Sequence, residues 1–403
     1  MGGFTVSQRK AGECLQSMST PAKEAGRSLR ILIAPDKYKG TLTAGEAAEA
    51  IRLGWLDARP LDKCQCVPLS DGGEGLLEVF QYVLPGSLLS ESVRDPLGRA
   101  IQASWYLAQS AEERLAVIET SQACGLQLLT PRERNPLIAT THGVGDILQA
   151  AKRSGATRII AGLGGSGTND GGTGMAAAIG YAFLDKNGRP LSAIPRSLVH
   201  LAAIRPPHDL SLPSILAATD VVNPLTGPNG ATHVYGPQKG LRPEDSHLLE
   251  DGLENLATVV QRDLSPGLVS SPGSGAAGGL GFGFQVFCRA ELRSGFQTVS
   301  GALELEKHIS ACDLVITGEG SLDVQSLQGK APVALARLCQ RLQRAVIALP
   351  GRMDADLQTA RIFQAVIPLT KIDPFLETAL PTRPAHTLRA KAREAAENIA
   401  GIL

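Results

Sequence analysis

Five short stretches of the sequence pair glycine or a tight turn with an acid or its amide: APDKYKG (34–40), PLSDGGEG (68–75), GLGGSGTNDGG (162–172), ATDVVNP (218–224) and TGEGSLD (317–323). Together they hold the parts that phosphoryl transfer needs. Backbone amides and lysines meet phosphate charge, hard carboxylate oxygens suit Mg2+, and one carboxylate must accept an alcohol proton. Each stretch follows an apolar run that reads as a strand, and open α/β sheets bind ligands at the carboxyl ends of their strands. Asp220 ends the run ILAAT, where a carboxylate is costly unless hydrogen bonding or function retains it. Asp71 and Glu74 precede a helical pattern, so helix capping accounts for them as readily as chemistry does. Asp36, Lys37 and Lys39 read either as a solvated turn or as a charged site.

The glycine cluster at 158–174, RIIAGLGGSGTNDGGTG, presents a choice. Gly162, Gly164 and Gly167 fit G-x-G-x-x-G with Asp185 beyond, which is formally a dinucleotide-binding fingerprint. Such a fingerprint opens directly into a helix. Here Thr168 to Gly174 intervene, and each glycine costs a helix about 1 kcal/mol. The expectation is therefore a long backbone-lined loop that cradles phosphate. The N–H groups of Gly164 and Gly165 converge on the anion, Ser166 and Thr168 add hydroxyls, and Asn169 and Asp170 complete polar contacts to substrate or metal. PGSGAAGG (272–279) matches the same glycine pattern, which shows how little the pattern says alone, and no Walker-type P-loop occurs. Two competing readings are an NAD(P)-dependent oxidoreductase of a hydroxy acid using GLGGSG, and a non-enzymatic sugar-acid-binding regulator.

The elements that must position these loops are legible as patterns. LRILIA (29–34) reads as a buried strand, and Thr43-Ala44-Gly45-Glu46 is a capping box opening a helix through Trp55. A second strand, CQCVPL, and a second helix, GEGLLEVFQYVL, complete a β-α-β-α opening, which predicts a parallel, doubly wound sheet. From about 88, SLLSESVRD, AIQASWYLA and RLAVIETS read as successive strands of an antiparallel sheet. PGSGAAGG is expected to enter a helix through about 290. β-α alternation then returns in LVITGEG, KAPVALARLCQRL, AVIALPG and AVIPLT, with a final helix in 388–400. The fold class that follows is α/β with two domains. One is made of both chain ends (29–87 plus 288–403), the other is an inserted mixed-sheet domain (88–287), and residues 1–28 form a tail.

The chain has 403 residues, too long for one core of ordinary size, and 39 Lys plus Arg balance 39 Asp plus Glu. With no basic run or stripe, nucleic acid is not an expected partner, and no apolar stretch reaches the length of a membrane helix. Seven scattered cysteines without a C-x-x-C pair suit a reducing compartment. A cytoplasmic monomer or homodimer is the expectation.

The sequence resembles the bacterial-type glycerate kinases. The likeness is carried by APDKYKGTLTA, PLSDGGEG, RNPLIATTHGVG, GLGGSGTNDGGTG, ATDVVNPLTGPNGA, YGPQKG, PGSGAAGGLG and ITGEGSLDVQSLQGKAP, in order from about 29 to about 350. The resemblance implies a flavodoxin-like domain formed by both chain ends around an insert, and ATP-dependent phosphorylation of D-glycerate, with 2-phosphoglycerate favoured over 3-phosphoglycerate. On this reading Asp220 is the general base, with Lys39 and Asp71 beside it in catalysis. Asp36, Lys37, Gly164, Gly165, Ser166, Thr168, Asn169, Asp170, Asn223, Glu319 and Lys330 bind substrate or phosphate, and Asp71, Glu74, Glu319 and Asp323 hold Mg2+. The family usually carries Arg where this chain has Ser321.

Overall fold

The computed structural model describes residues 27–109, 113–264, 271–322, 326, 330–353, 362–370 and 383–401. Asp323 and nearly all of the 1–28 stretch lie outside the described residues.

Strands β1 (Arg30–Ile33) and β2 (Lys63–Cys66) open the chain, followed by β3 (Gly86–Arg94), β4 (Ala100–Gln109), β5 (Arg114–Glu119) and β6 (Arg158–Gly162). Next come β7 (Ala182–Leu184), β8 (Ala203–Arg205), β9 (Ser214–Ala218) and β10 (Glu291–Arg293). The last five are β11 (Leu314–Thr317), β12 (Ser321–Leu322), β13 (Ala345–Ala348), β14 (Arg352–Met353) and β15 (Ala365–Val366).

Both chain ends build one all-parallel sheet in the order β15-β13-β11-β1-β2. Numbered within this sheet, that is 2-1-3-4-5, the flavodoxin-like order, whose switch point lies between β1 and β11. The loops leaving those two strands carry Asp36 and Glu319. The first helix, Ala44–Ala58, begins with the expected capping box: the Thr43 hydroxyl accepts the Glu46 N–H at 3.2 Å, and Glu46 Oε2 accepts the Thr43 N–H at 2.9 Å. Ile51 and Trp55 on this helix pack with Ile31, Leu314, Leu388 and Ala392 in one core cluster, so the last helix, Pro384–Glu397, closes against the first.

The second sheet has the order β10-β9-β6-β5-β4-β3. Its first part is antiparallel, as expected, but β5/β6, β6/β9 and β9/β10 are parallel. The reason is the long connections: the helix His142–Arg153 joins β5 to β6, for example, and crossovers of that length return a strand in the same direction. β10 pairs with β9 although it follows residue 287, where the inserted segment was expected to end. The inner faces of the two sheets share a core in which Leu32, Val67, Phe80 and Val315 meet Tyr106, Val117, Ile160 and Leu216.

The two glycine-rich stretches pack on each other. Residues Ala277, Gly278 and Gly279 take left-handed conformations in succession before the helix continues to Cys288, a turn the expected plain helix did not foresee. Gly278 accepts the Gly171 N–H at 3.1 Å, and a Cβ added to it would lie 1.9 Å from the Thr168 carbonyl oxygen. PGSGAAGG is thus the backing of the GSGTND loop. Gly278→Ala combines left-handed strain of about 1–2 kcal/mol with a backbone clash, so a loss of at least about 2 kcal/mol is expected in urea unfolding. Unchanged stability would remove this packing role.

Candidate active site

The loop after β6 runs without helix from 163 to 172, and the next helix starts only at Thr173. A dinucleotide loop would have begun its helix near Gly167, so the oxidoreductase reading loses its structural basis. Gly165 is exposed, and the N–H groups of Gly164, Gly165 and Ser166 donate to no acceptor among the described residues. Three successive open donors at the end of a buried parallel strand make a concavity suited to an anion.

Around this loop the strand ends of both sheets converge. A Cβ on Gly162 would lie 2.2 Å from the Gly72 carbonyl oxygen, and one on Gly295 would lie 1.7 Å from that of Asp71. The close approaches press the loop after β2 against the loops after β6 and β10. Asp71, half-buried, accepts the Gly73 N–H at 3.0 Å. Its charge reaches two neighbours. Asp36 is 7% exposed, and burial first, then Asp71, raise its carboxyl well above the usual carboxylate range, against the pull of the Lys37 N–H at 2.7 Å. Asp220 is pushed up to about 6, first by desolvation and further by Asp71, while the hydrogen bond from Ser294 and the N–H of Gly295 at 2.9 Å oppose the rise. Asp220 opens to solvent on one side, yet its carboxyl is crowded by the start of the helix Gly295–Ala302.

Cations face these acids. Lys37 Nζ donates to the Glu74 carbonyl and stands 3.9 Å from the Glu74 carboxylate, spanning the loops after β1 and β2. Lys330 lies 3.7 Å from Glu319, whose backbone carbonyl holds Gly351 in the loop after β13. The structure therefore sets Asp36, Lys37, Asp71, Asp220, Glu319, Lys330 and the Gly164–Ser166 amides on neighbouring loops at the strand ends of the two sheets. Lys39 sits exposed on the neighbouring Tyr38–Leu42 turn, beside Gly320.

Other expected site residues turn elsewhere. Thr168, Asn169 and Asp170 are fully buried. Asp170 accepts from Thr141 N–H (2.8 Å), Thr141 Oγ1 (2.9 Å), Gly172 N–H (3.0 Å) and Gly174 N–H (3.1 Å), so its acceptor capacity is used by the fold. Asn223 braces a turn, its Oδ1 accepting from Tyr235 at 2.7 Å and its Nδ2 donating to Asn229 at 2.9 Å. The Glu74 side chain is 80% exposed. Ser321 accepts from Arg352 Nε at 3.2 Å, so a guanidinium stands beside the position where the resemblance has Arg.

Two residues went unread in the sequence. Glu119, at the end of β5, is buried, and its Oε1 accepts the Leu77 N–H at 3.0 Å; it caps the helix Leu76–Val83, which has no side-chain cap of its own. An acid closing an apolar strand was the available signal, as it was for Asp220. Lys239, in YGPQKG, lies beneath the glycine loop, and only its place in a glycine-flanked turn hinted at it. A groove of about 880 Å³ lies away from all of these acids, lined by Leu42, Glu46, Leu53, Tyr82 and Arg389.

Residues 31–400 match the glycerate kinase family. The chain belongs to that family. A glycerate 2-kinase of Escherichia coli K12 is 40% identical over 334 residues, covering 82% of this chain and 87% of its own. A glycerate kinase of Bacillus subtilis 168 is 39% identical over 335 residues, covering 81% and 86%. A crystal structure from Salmonella typhimurium LT2, of a protein provisionally named glycerate kinase 2, aligns with a TM-score of 0.82 at 37% identity, covering 93% of this chain and 99% of its own. Family membership makes the protein a kinase, with ATP as phosphoryl donor, and the α/β fold with its two sheets agrees with it. No helix among the described residues is long and apolar enough to cross a membrane.

Proposed function

We propose that the protein transfers the γ-phosphoryl group of ATP to the 2-hydroxyl of D-glycerate in the cleft between the two sheets, with Asp220 as general base. The observation that carries this reading is Asp220 itself, a carboxylate raised to about 6 just past β9, the parallel neighbour of the strand β6 whose loop carries the open amides of Gly164–Ser166. A base near that value is ionised at neutral pH yet basic enough to take a proton. The Asp220 carboxylate takes the hydroxyl proton as the substrate oxygen bonds to the γ-phosphorus and the bond to the ADP oxygen breaks. The Gly164–Ser166 amides and Lys37 stabilise charge on the transferred group, and Lys330 and Lys39 meet the remaining phosphate or the glycerate carboxylate.

Among the described residues no group of three or more His, Cys, Asp or Glu forms a dedicated metal cage. Mg2+ asks for less, since it is usually held by one or two carboxylates together with substrate phosphates. The mutual repulsion of Asp36 and Asp71 is a carboxylate excess of the kind a divalent cation relieves, so these residues fit it. Asp71 and Asp36 would hold the ion, with Glu319 in reserve beside Lys330, and Mg2+ supplies neutralisation of phosphate charge when bound. The same reading divides the chain into a flavodoxin-like domain from both ends and an inserted domain that includes β10.

The test is ³¹P NMR of the product formed from D-glycerate and ATP. Phosphorus on the 2-oxygen couples to a single carbon-bound proton and gives a doublet. A triplet would assign the 3-oxygen, and no transfer at all would end the kinase reading of this substrate.

A further inference from the structure

Lys239 is 2% exposed, and it carries its charge into the interior directly under the phosphate-facing loop. Its Nζ donates to Ser166 Oγ at 3.0 Å and to the Thr168 carbonyl oxygen at 2.7 Å. The turn that presents it is fixed, with the Lys239 N–H donating to the Gly236 carbonyl at 2.9 Å. No carboxylate forms a salt bridge with it among the described residues. Two other titratable groups face it: the buried Cys124 thiol, pushed up to about 12 by burial and so neutral, and Asp170, whose oxygens already accept four donors from Thr141, Gly172 and Gly174. A buried ammonium without a paired anion is costly unless something compensates it. Immediately above it, the Gly164–Ser166 amides stand open.

We propose that Lys239 is a positioning residue for nucleotide binding: it holds the Gly164–Thr168 backbone in its anion-accepting shape and supplies the buried positive charge that a bound phosphate balances. The inference rests on the phosphate-cradle reading of this loop. Burial lowers the Lys239 ammonium to about 8, so it loses its proton as the pH rises through that value, and a bound anion favours the protonated form. Nucleotide affinity should therefore fall above about pH 8, and binding near that pH should take up protons.

The experiment is calorimetric titration of the whole protein with Mg·ATP, without glycerate, from about pH 7 to about pH 9.5, in buffers of different ionisation enthalpy. The wild-type Kd is expected to rise about tenfold per pH unit above about 8, with proton uptake there. Lys239→Met is expected to bind at least about tenfold more weakly at neutral pH with a flat profile, and Lys239→Arg to retain affinity with a flat profile because guanidinium does not titrate. A pH-independent wild-type Kd without proton uptake, or a folded Lys239→Met within about twofold of wild type, overturns the proposal. If the Met variant does not fold, the wild-type profile and proton uptake decide. Because the titration measures no turnover, failure to phosphorylate glycerate would leave this result standing, and a pH-flat ATP affinity in an active glycerate kinase would overturn it alone.

Discussion

Asp220→Asn is expected to lower kcat by about 10²- to 10⁴-fold while the protein folds normally, the range that a positioned general base contributes. The amide keeps an oxygen to accept the Gly295 N–H, which Asp220 Oδ1 accepts at 2.9 Å, so the start of the helix Gly295–Ala302 is preserved and the loss falls on proton transfer. The pH profile adds a second signature. A base must be deprotonated to act, and Asp220 is raised to about 6, so wild-type kcat should fall about tenfold per pH unit below that value and level off above it. In Asp220→Asn this acid limb should disappear. Steady-state rates in a coupled ADP-release assay, with circular dichroism for folding, measure both. A folded variant that turns over within about threefold of wild type would exclude the base role.

Asp170→Asn should show the opposite behaviour, a large loss of stability. Both Asp170 oxygens accept: Oδ1 from the Gly172 N–H at 3.0 Å, and Oδ2 from the Thr141 N–H at 2.8 Å, Thr141 Oγ1 at 2.9 Å and the Gly174 N–H at 3.1 Å. This one side chain ties the start of the helix His142–Arg153 to that of Thr173–Ala178. Asparagine replaces one acceptor oxygen with an NH2 group, which then confronts a backbone N–H with no room for water. Leaving a buried donor unsatisfied beside the lost charge-assisted bonds is expected to cost about 3 kcal/mol, visible as a lower urea midpoint. If Asp170→Asn kept wild-type stability but lost activity, Asp170 would belong to the chemistry and not to the framework.

The contrast between two aspartates in similar sequence settings shows what could be read early. Both stand in loops just after apolar strands, and the sequence places each among acids available to a kinase. Local pattern has real force in this chain. The capping box at Thr43 and Glu46 needs only its own four residues, and the parallel β-α texture of both ends follows from the spacing of apolar side chains. The break of the dinucleotide fingerprint was also local, because TNDGGTG cannot carry a helix of the required length.

Long-range neighbours were not legible in the same way. Nothing near residue 170 announces that Thr141 turns its N–H and hydroxyl toward it, and nothing near 239 announces Ser166 and Thr168. PGSGAAGG reads as the entry to a plain helix, and only packing shows that its left-handed turn lies against the Thr168 carbonyl. Mixed direction in the second sheet likewise depended on long crossovers that a strand's own composition does not encode.

By itself the sequence determined the chemistry on offer: carboxylates, lysines and open glycine amides at strand ends, in motifs that mark the glycerate kinases. Tertiary structure decided which of them meet. The 2-1-3-4-5 order brings β1 and β11 together from opposite ends of the chain, setting Asp36 beside the Glu319 loop, and the press of Gly72 and Gly295 brings Asp71 to Asp220. The physical reason is that a residue's type and its local geometry are set by its neighbours in the chain, while its burial, charge partners and proton affinity are set by neighbours in space.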